Sequence, residues 1–307
     1  MNLTPFRKGI IFAVSGYLVW GFLPIYWKLL GAINPFHILS FRILFSLMLI
    51  SCILFIMKNF SWLKFFSDKR KGFHMTLAGI LLCGNWGLFI WAVNNGYTIE
   101  AALGYYMNPL ISIVMGLCFF RERLNLLQWI AFGIVTAGVL IVTAITGSPP
   151  WISLGLAFSF AFYGMIKKTV KFSALESLGV ETLVVTPIAL MLLFIPFGAT
   201  HTDGFFNLQT MSYMADLPIL TLILIPFIGL ASSLPLFLFA KGVRMIPLST
   251  LGFCQFISPT IAFLIGVFIF REPFPMHNFI VFGCIWVAAI LYIISFNIGP
   301  KNGLPKY

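Results

Sequence analysis

Apolar residues arrive in long, nearly unbroken blocks, and polar residues gather in the short gaps between them. About 20 apolar residues cross a bilayer core, and by that measure the chain predicts ten helical spans: roughly 9–29, 36–57, 75–95, 101–120, 126–145, 151–169, 176–197, 218–240, 249–270 and 276–296. The longest gaps, 58–74 and 198–217, leave no room for a separate soluble domain. An all-α integral membrane protein is the expected fold class.

Two of the blocks are near copies. Residues 108–122 read NPLISIVMGLCFFRE and residues 258–272 read SPTIAFLIGVFIFRE, at a constant offset of 150. Pro109 matches Pro259, Gly116 matches Gly266, and Arg121-Glu122 matches Arg271-Glu272; Gly133 and Gly283 continue the register. At an offset of 139, Gly16 matches Gly155, Lys28 matches Lys167, and Arg42 stands opposite Glu181. The chain thus divides into two five-span units, 1–147 and 148–307. An odd number of spans makes the second unit enter the membrane from the opposite side, so the repeats are expected to be inverted. Inverted repeats are the pattern of carriers that rock one half against the other.

Composition sharpens this. Hydrophobic residues are 60% and charged residues 9% of 307, with 35 Phe and a mean hydropathy of +1.02; a soluble fold needs more polar surface. The net charge of +11 is mostly a topology signal rather than a nucleic-acid one. Arg7, Lys8, Lys58, Lys64, Lys69, Arg70, Lys71, Arg121, Arg123, Lys167, Lys168, Lys171, Lys241, Arg244, Lys301 and Lys306 fall on one side of the predicted spans, and Arg271 alone on the other. The positive-inside rule then puts both termini in the cytoplasm. The first span follows Arg7-Lys8 but is too long for a signal peptide and lacks a small-x-small site, so it reads as a retained helix. Cys52, Cys83, Cys118, Cys254 and Cys284 all lie within spans, and no disulfide framework is expected.

Ionisable groups within spans are costly and usually face a cavity or a partner. Arg42 and Glu181 are the candidates here, Arg42 for a substrate carboxylate and Glu181 for a proton or a substrate amine. Their span positions differ in depth by roughly 13 Å, which predicts separate outer and inner vestibules rather than an ion pair. Lys28 and Lys167 sit close enough to span ends to snorkel, and Trp27, Trp129 and Trp151 read as interfacial anchors. Asn85, Trp86, Tyr105 and Asn108 bring amides and ring faces to the third and fourth spans; Gln255 and Ser258 replace Tyr105 and Asn108 in the second unit. All six are candidate cavity-lining residues. Pro109 and Pro259 are candidate helix breaks or hinges. The Arg-Glu pairs read as caps that tie loops. Small-residue stripes such as Gly79, Cys83 and Gly87, or Gly133 and Ala137, favour close helix packing, and spans five and ten could support a homodimer.

Several classes are disfavoured. There is no Walker glycine loop, no His-Glu-x-x-His, no Asp in any span, and no Ser/His/Asp grouping at one depth; no metal site or cofactor is predicted. A membrane-embedded transferase-type enzyme is the main alternative, and a structural or signalling membrane protein is a second.

Segments WGFLPIYWKLL (20–30), ILSFR (38–42), NWGLFIWAVNNG (85–96), EAALGYYMNPL (100–110), FRERLNLLQW (120–129), ETLVVTPIAL (181–190) and PLSTLGFCQFISPT (247–260) resemble the RarD-type permeases of the EamA-domain drug/metabolite transporter superfamily. The resemblance runs in order along nearly the whole chain, with departures at His37, Phe41 and Lys241. It implies a bacterial inner-membrane carrier whose two inverted five-helix units surround a cavity and move a small solute by alternating access. Export is the expected direction; transport is either secondary active, with Glu181 as the candidate proton carrier, or facilitative.

Overall fold

The computed structural model describes residues 4–147, 151–170, 172–194, 217–271 and 278–298. Among these, every regular element is a helix. The chain runs through α1 (Pro5–Leu29), α2 (Pro35–Ile56), a 3-10 turn (Ser61–Ser67), α3 (Lys69–Asn94), α4 (Thr98–Phe119), α5 (Leu126–Thr146), α6 (Trp151–Thr169) and α7 (Ala174–Phe194). It then forms α8 (Ile219–Leu224), α9 (Ile228–Gly242), α10 (Leu248–Gln255), α11 (Ile257–Leu264) and α12 (Asn278–Ile298). Eight helical stretches among the described residues are long and apolar enough to cross a membrane; Phe279–Ser295 is a shorter apolar helix. The protein is therefore a multi-pass membrane protein.

Local chemistry sets the boundaries. Thr4 accepts from the Arg7 amide and Asn34 from the Phe36 amide, each followed by a Pro at the first helical position, where its missing N–H costs nothing. Asp68 caps α3 through the amides of Arg70 and Lys71. Asn125 and Gln128 form a reciprocal capping box at α5, and Gly147 ends that helix at φ 62°, a conformation that glycine adopts without strain.

The prolines behave unequally. Helix α4 runs unbroken through Pro109, losing only the hydrogen bond that an imino nitrogen cannot donate. The ninth predicted span, by contrast, is interrupted at Phe256 between α10 and α11 and ends in a π-helical turn, Ile265–Ile269. Pro259 has no N–H for the Gln255 carbonyl, and its ring crowds that carbonyl, so the break falls at the residue after Gln255. Pro226 likewise accompanies the 3-10 turn Ile225–Phe227 between α8 and α9.

Packing is selective. Helix α1 lies on α9 and α11, α3 and α4 lie on α6, α2 lies on α7 and α9, α3 on α7, α4 on α10, and α5 on α12. One apolar core joins Tyr17, Met75, Tyr163, Leu178, Phe239 and Leu251; a second, around Val135, Phe282 and Ile285, belongs to the α5–α12 side. Met48, Phe55, Leu126, Leu140, Met191, Phe268 and Ile293 stay exposed, the outward apolar surface that a lipid solvent favours. Trp129 and Trp151 are exposed in the same way.

Glu122 links the ends of α4 and α10. Its carboxylate accepts from the amides of Leu248 (2.6 Å) and Ser249 (2.8 Å), capping α10 across the molecule. Arg121 and Arg271 share a left-handed backbone, at φ 52° and 55°. Glu272 lies outside the described residues.

A cavity between two charged clusters

Helices α2, α3, α7 and α9 enclose a cavity lined by Arg42, Ser46, Ile50, Gly79, Leu82, Cys83, Trp86, Glu181, Thr182, Val185, Ser233 and Leu236 among others. Its position follows from glycines. A Cβ on Gly229 would come within 2.5 Å of the Phe45 backbone, and one on Gly79 within 2.9 Å of the Glu181 carbonyl. These contacts draw α9 onto α2 and α3 onto α7. Three residues beyond Gly229, and three before Phe45, the same helix faces bring Ser232 to Arg42.

Arg42 is held by three groups from three helices. Its guanidinium lies over the Trp86 ring at 3.8 Å and the Trp27 ring at 4.9 Å, and Nε donates to the Ser232 hydroxyl at 3.1 Å. A desolvated cation–π contact contributes about 2 kcal/mol or more, so the rings offset part of the cost of a cation among apolar helices. No described carboxylate lies within ion-pair distance of Arg42; the described pairs are Lys71–Asp68 and Lys167–Glu181. Tyr105 is 48% exposed although it sits mid-helix in α4, with its ring edge-on to Phe89, and it is absent from the cavity wall.

Glu181 is satisfied completely. Tyr163 and Lys167 are four apart on α6, and Ser177 and Glu181 are four apart on α7, so each pair shares a face. The two faces meet. Oε1 accepts from Lys167 Nζ at 2.6 Å and Ser177 Oγ at 2.8 Å, and Oε2 accepts from Tyr163 OH at 3.1 Å. Lys167 is 0% exposed and Glu181 2%. Tyr163 in turn stacks on Phe239.

This geometry corrects three expectations. Lys167 does not snorkel: its ammonium is turned inward because the Glu181 carboxylate, delivered by the antiparallel α7, compensates its charge. Arg42 and Glu181 do not occupy separate vestibules but line one cavity. Gly179 packs on Ile50 and Leu54, and Val185 clusters with Leu39 and Ile43. Glu181 therefore lies roughly one to two helical turns, or about 5–11 Å, from the level of Arg42. Trp27 is no mere interfacial anchor, since its ring faces the guanidinium.

The remaining sequence candidates are dispersed. Asn85 spends its amide on the Leu156 carbonyl and the Ser159 hydroxyl, both at 2.8 Å, joining α3 to α6. Asn108 and Gln255 are buried, and Asn108 Oδ1 and Gln255 Oε1 have no hydrogen-bond donor among the described residues; the same holds for Ser233 Oγ on the cavity wall. Helices α4 and α10 meet where Gly252 approaches the Pro109 carbonyl. Ser258 is half-buried on α11. Trp27, Ser232, Ser233, Tyr163 and Ser177 enter the site from the structure. Of these, Tyr163 and Ser177 carried a signal in helical spacing, since they stand four before Lys167 and Glu181; Trp27 reads from sequence as an anchor.

Residues 7–144 match the EamA-like transporter family. A Bacillus subtilis (strain 168) chain named Uncharacterized transporter YojE is 39% identical over 298 residues, covering 94% of each chain. Protein RarD of Escherichia coli (strain K12) is 35% identical over 296 residues, covering 96% of this chain and 97% of its own. A solved structure described only as a crystal structure of protein aligns with a TM-score of 0.69 at 14% identity, over 93% of this chain and 97% of that one. It shares the fold alone.

Proposed function

The chain belongs to the RarD branch of the EamA-like transporter family, and from that premise we propose that it is a carrier that moves a small metabolite or drug-like solute across the bacterial inner membrane by alternating access. The observation that carries this reading is the cavity itself, walled by α2 and α3 from one half of the chain and α7 and α9 from the other, with Arg42 and Glu181 set among apolar side chains.

Ten transmembrane helices in two inverted units, 1–147 and 148–307, complete the proposal. Helix pairings between the halves support it, because each recurs with the halves exchanged. The packing of α1 on α9 corresponds to α6 on α3; α4 on α6 corresponds to α11 on α1; α2 on α9 corresponds to α7 on α3. The shared left-handed backbone at Arg121 and Arg271 fits the same duplication. Such units give an outward-open and an inward-open state from one architecture. Both termini are proposed to be cytoplasmic, and export is the proposed direction.

Tyr105, Asn108, Gln255 and Ser258 are proposed to line the path as the halves rock, and the break ahead of Pro259 to serve as a hinge. Purified protein in liposomes is expected to catalyse solute counterflow without ATP, and a pH gradient applied to the same vesicles tests proton coupling. Replacing Arg42 or Glu181 should impair counterflow. Unchanged flux with both replaced would remove this site; covalent turnover of a lipid or metabolite would favour the enzyme alternative.

A further inference from the structure

Resting on the carrier reading, we propose that the solute is an organic monoanion, a carboxylate on a small apolar body, and that Arg42 meets its charge. Arg42 and Glu181 are the charged residues on the cavity wall. Glu181 is cancelled by Lys167, and both of its oxygens already accept hydrogen bonds. What remains on the wall is the single positive charge of Arg42; Arg244, whose Nε donates to the Lys167 carbonyl, adds a cation beside the pair but is absent from the wall. Guanidinium carries five N–H donors, of which Nε serves Ser232. Trp86 and Trp27 meet the guanidinium through their ring faces, and no acceptor among the described residues takes its remaining N–H donors. The in-plane donors are thus suited to a planar carboxylate, the ligand that a guanidinium fork matches in two parallel hydrogen bonds.

Other charge types fit poorly. An ammonium would add a second cation beside Arg42, and the carboxylate that could compensate it is enclosed by Lys167, Ser177 and Tyr163. A zwitterion meets the same obstacle at its amino end. A dianion would leave one negative charge among Ile43, Leu82, Val185 and Leu236, without a partner in a medium where unpaired charge is costly. Lys28 and Glu100 stand at helix ends and are absent from the wall. Those apolar side chains, with the Trp86 ring, suit an aliphatic or aromatic body. In this arrangement Lys167 is a positioning residue: it silences Glu181 so that the wall attracts an anion.

The test is a matched panel: butyrate, benzoate, phenylacetate and indole-3-acetate, each with its amide, its amine and the corresponding amino acid where one exists. Detergent-purified protein is monitored for ligand-dependent shifts in unfolding temperature, and the same compounds are run in liposome counterflow. At least one acid is expected to bind roughly ten- to hundredfold tighter than its amide, as a charge-assisted hydrogen bond to one group requires. Arg42→Gln should abolish that preference, and Arg42→Lys should retain it in weakened form. Lys167→Met should weaken the acid, whereas the double variant Lys167→Met/Glu181→Leu should restore it. Preference for an amine or an amide, acid preference that survives Arg42→Gln, or no binding by any member would overturn the proposal. Acid binding without flux would leave the anion class standing and remove the carrier reading. Flux of amines would do the reverse.

Discussion

Removing the Lys167 ammonium while leaving Glu181 in place should be among the most damaging single changes in this protein. The pair lies at 2.6 Å with Lys167 0% and Glu181 2% exposed, and breaking a buried pair from one side typically costs about 3–5 kcal/mol. In Lys167→Met the carboxylate keeps the Ser177 and Tyr163 hydroxyls, so the cost should fall near the lower figure. Glu181→Leu should cost a comparable amount by stranding the ammonium, and Lys167→Met/Glu181→Leu should cost far less than the two combined. Equilibrium unfolding of the four proteins in mixed micelles, as a double-mutant cycle, measures all of this. Single variants that cost under about 1 kcal/mol, or a double variant as costly as the sum, would refute the reasoning.

Three further outcomes are expected. Glu122→Ala removes the acceptor for two α10 amides and should lower stability by about 1–2 kcal/mol, as loss of a helix cap does; thermal unfolding in detergent measures it. Gly229→Ala should sharply reduce folded yield, because its Cβ would meet the Phe45 backbone at 2.5 Å, while Gly283→Ala, with nothing within 4 Å, should be neutral or stabilising; size-exclusion profiles of the two compare them. The Asp68 carboxyl, held below its ordinary range by the Lys71 side chain first and then by the Lys71 and Arg70 amides, stabilises the fold above the unfolded value near 4 and loses that effect as pH falls further. The melting-temperature gap between the protein and Asp68→Asn should therefore close on acidification.

Eight of the ten expected spans were legible among the described residues, because a bilayer demands uninterrupted apolar length, and α1, α2 and α5 begin at capping residues followed by helix-compatible starts. Arg42 and Glu181 stood out as charges within apolar blocks. Partners were harder to read. Lys167 lies two residues from the end of α6 beside Lys168, and that local pattern is the same for a snorkelling lysine and a buried one. Only the approach of α7, which returns Glu181 to the same level, decides between them. Trp27 failed for a similar reason: a Trp near a span end suits the interface equally well, and its ring direction depends on how α1 and α2 cross. Pro109 and Pro259 match in sequence, yet α4 stays continuous while the later span breaks at Phe256. Pattern alone fixes where an imino nitrogen falls, not whether the surrounding helices hold the backbone straight.

Lys167 and Arg42 have different histories during synthesis. Lys167 and Glu181 are 14 residues apart on consecutive helices, so they can neutralise each other as soon as both helices have entered the bilayer. Arg42 must be inserted long before Ser232, 190 residues later, exists to receive it; of its three supports only Trp27 has already left the ribosome. The second span therefore spends most of translation with an incompletely sheltered charge, and the insertion machinery, its lipids or a chaperone must tolerate it until α3 and α9 arrive.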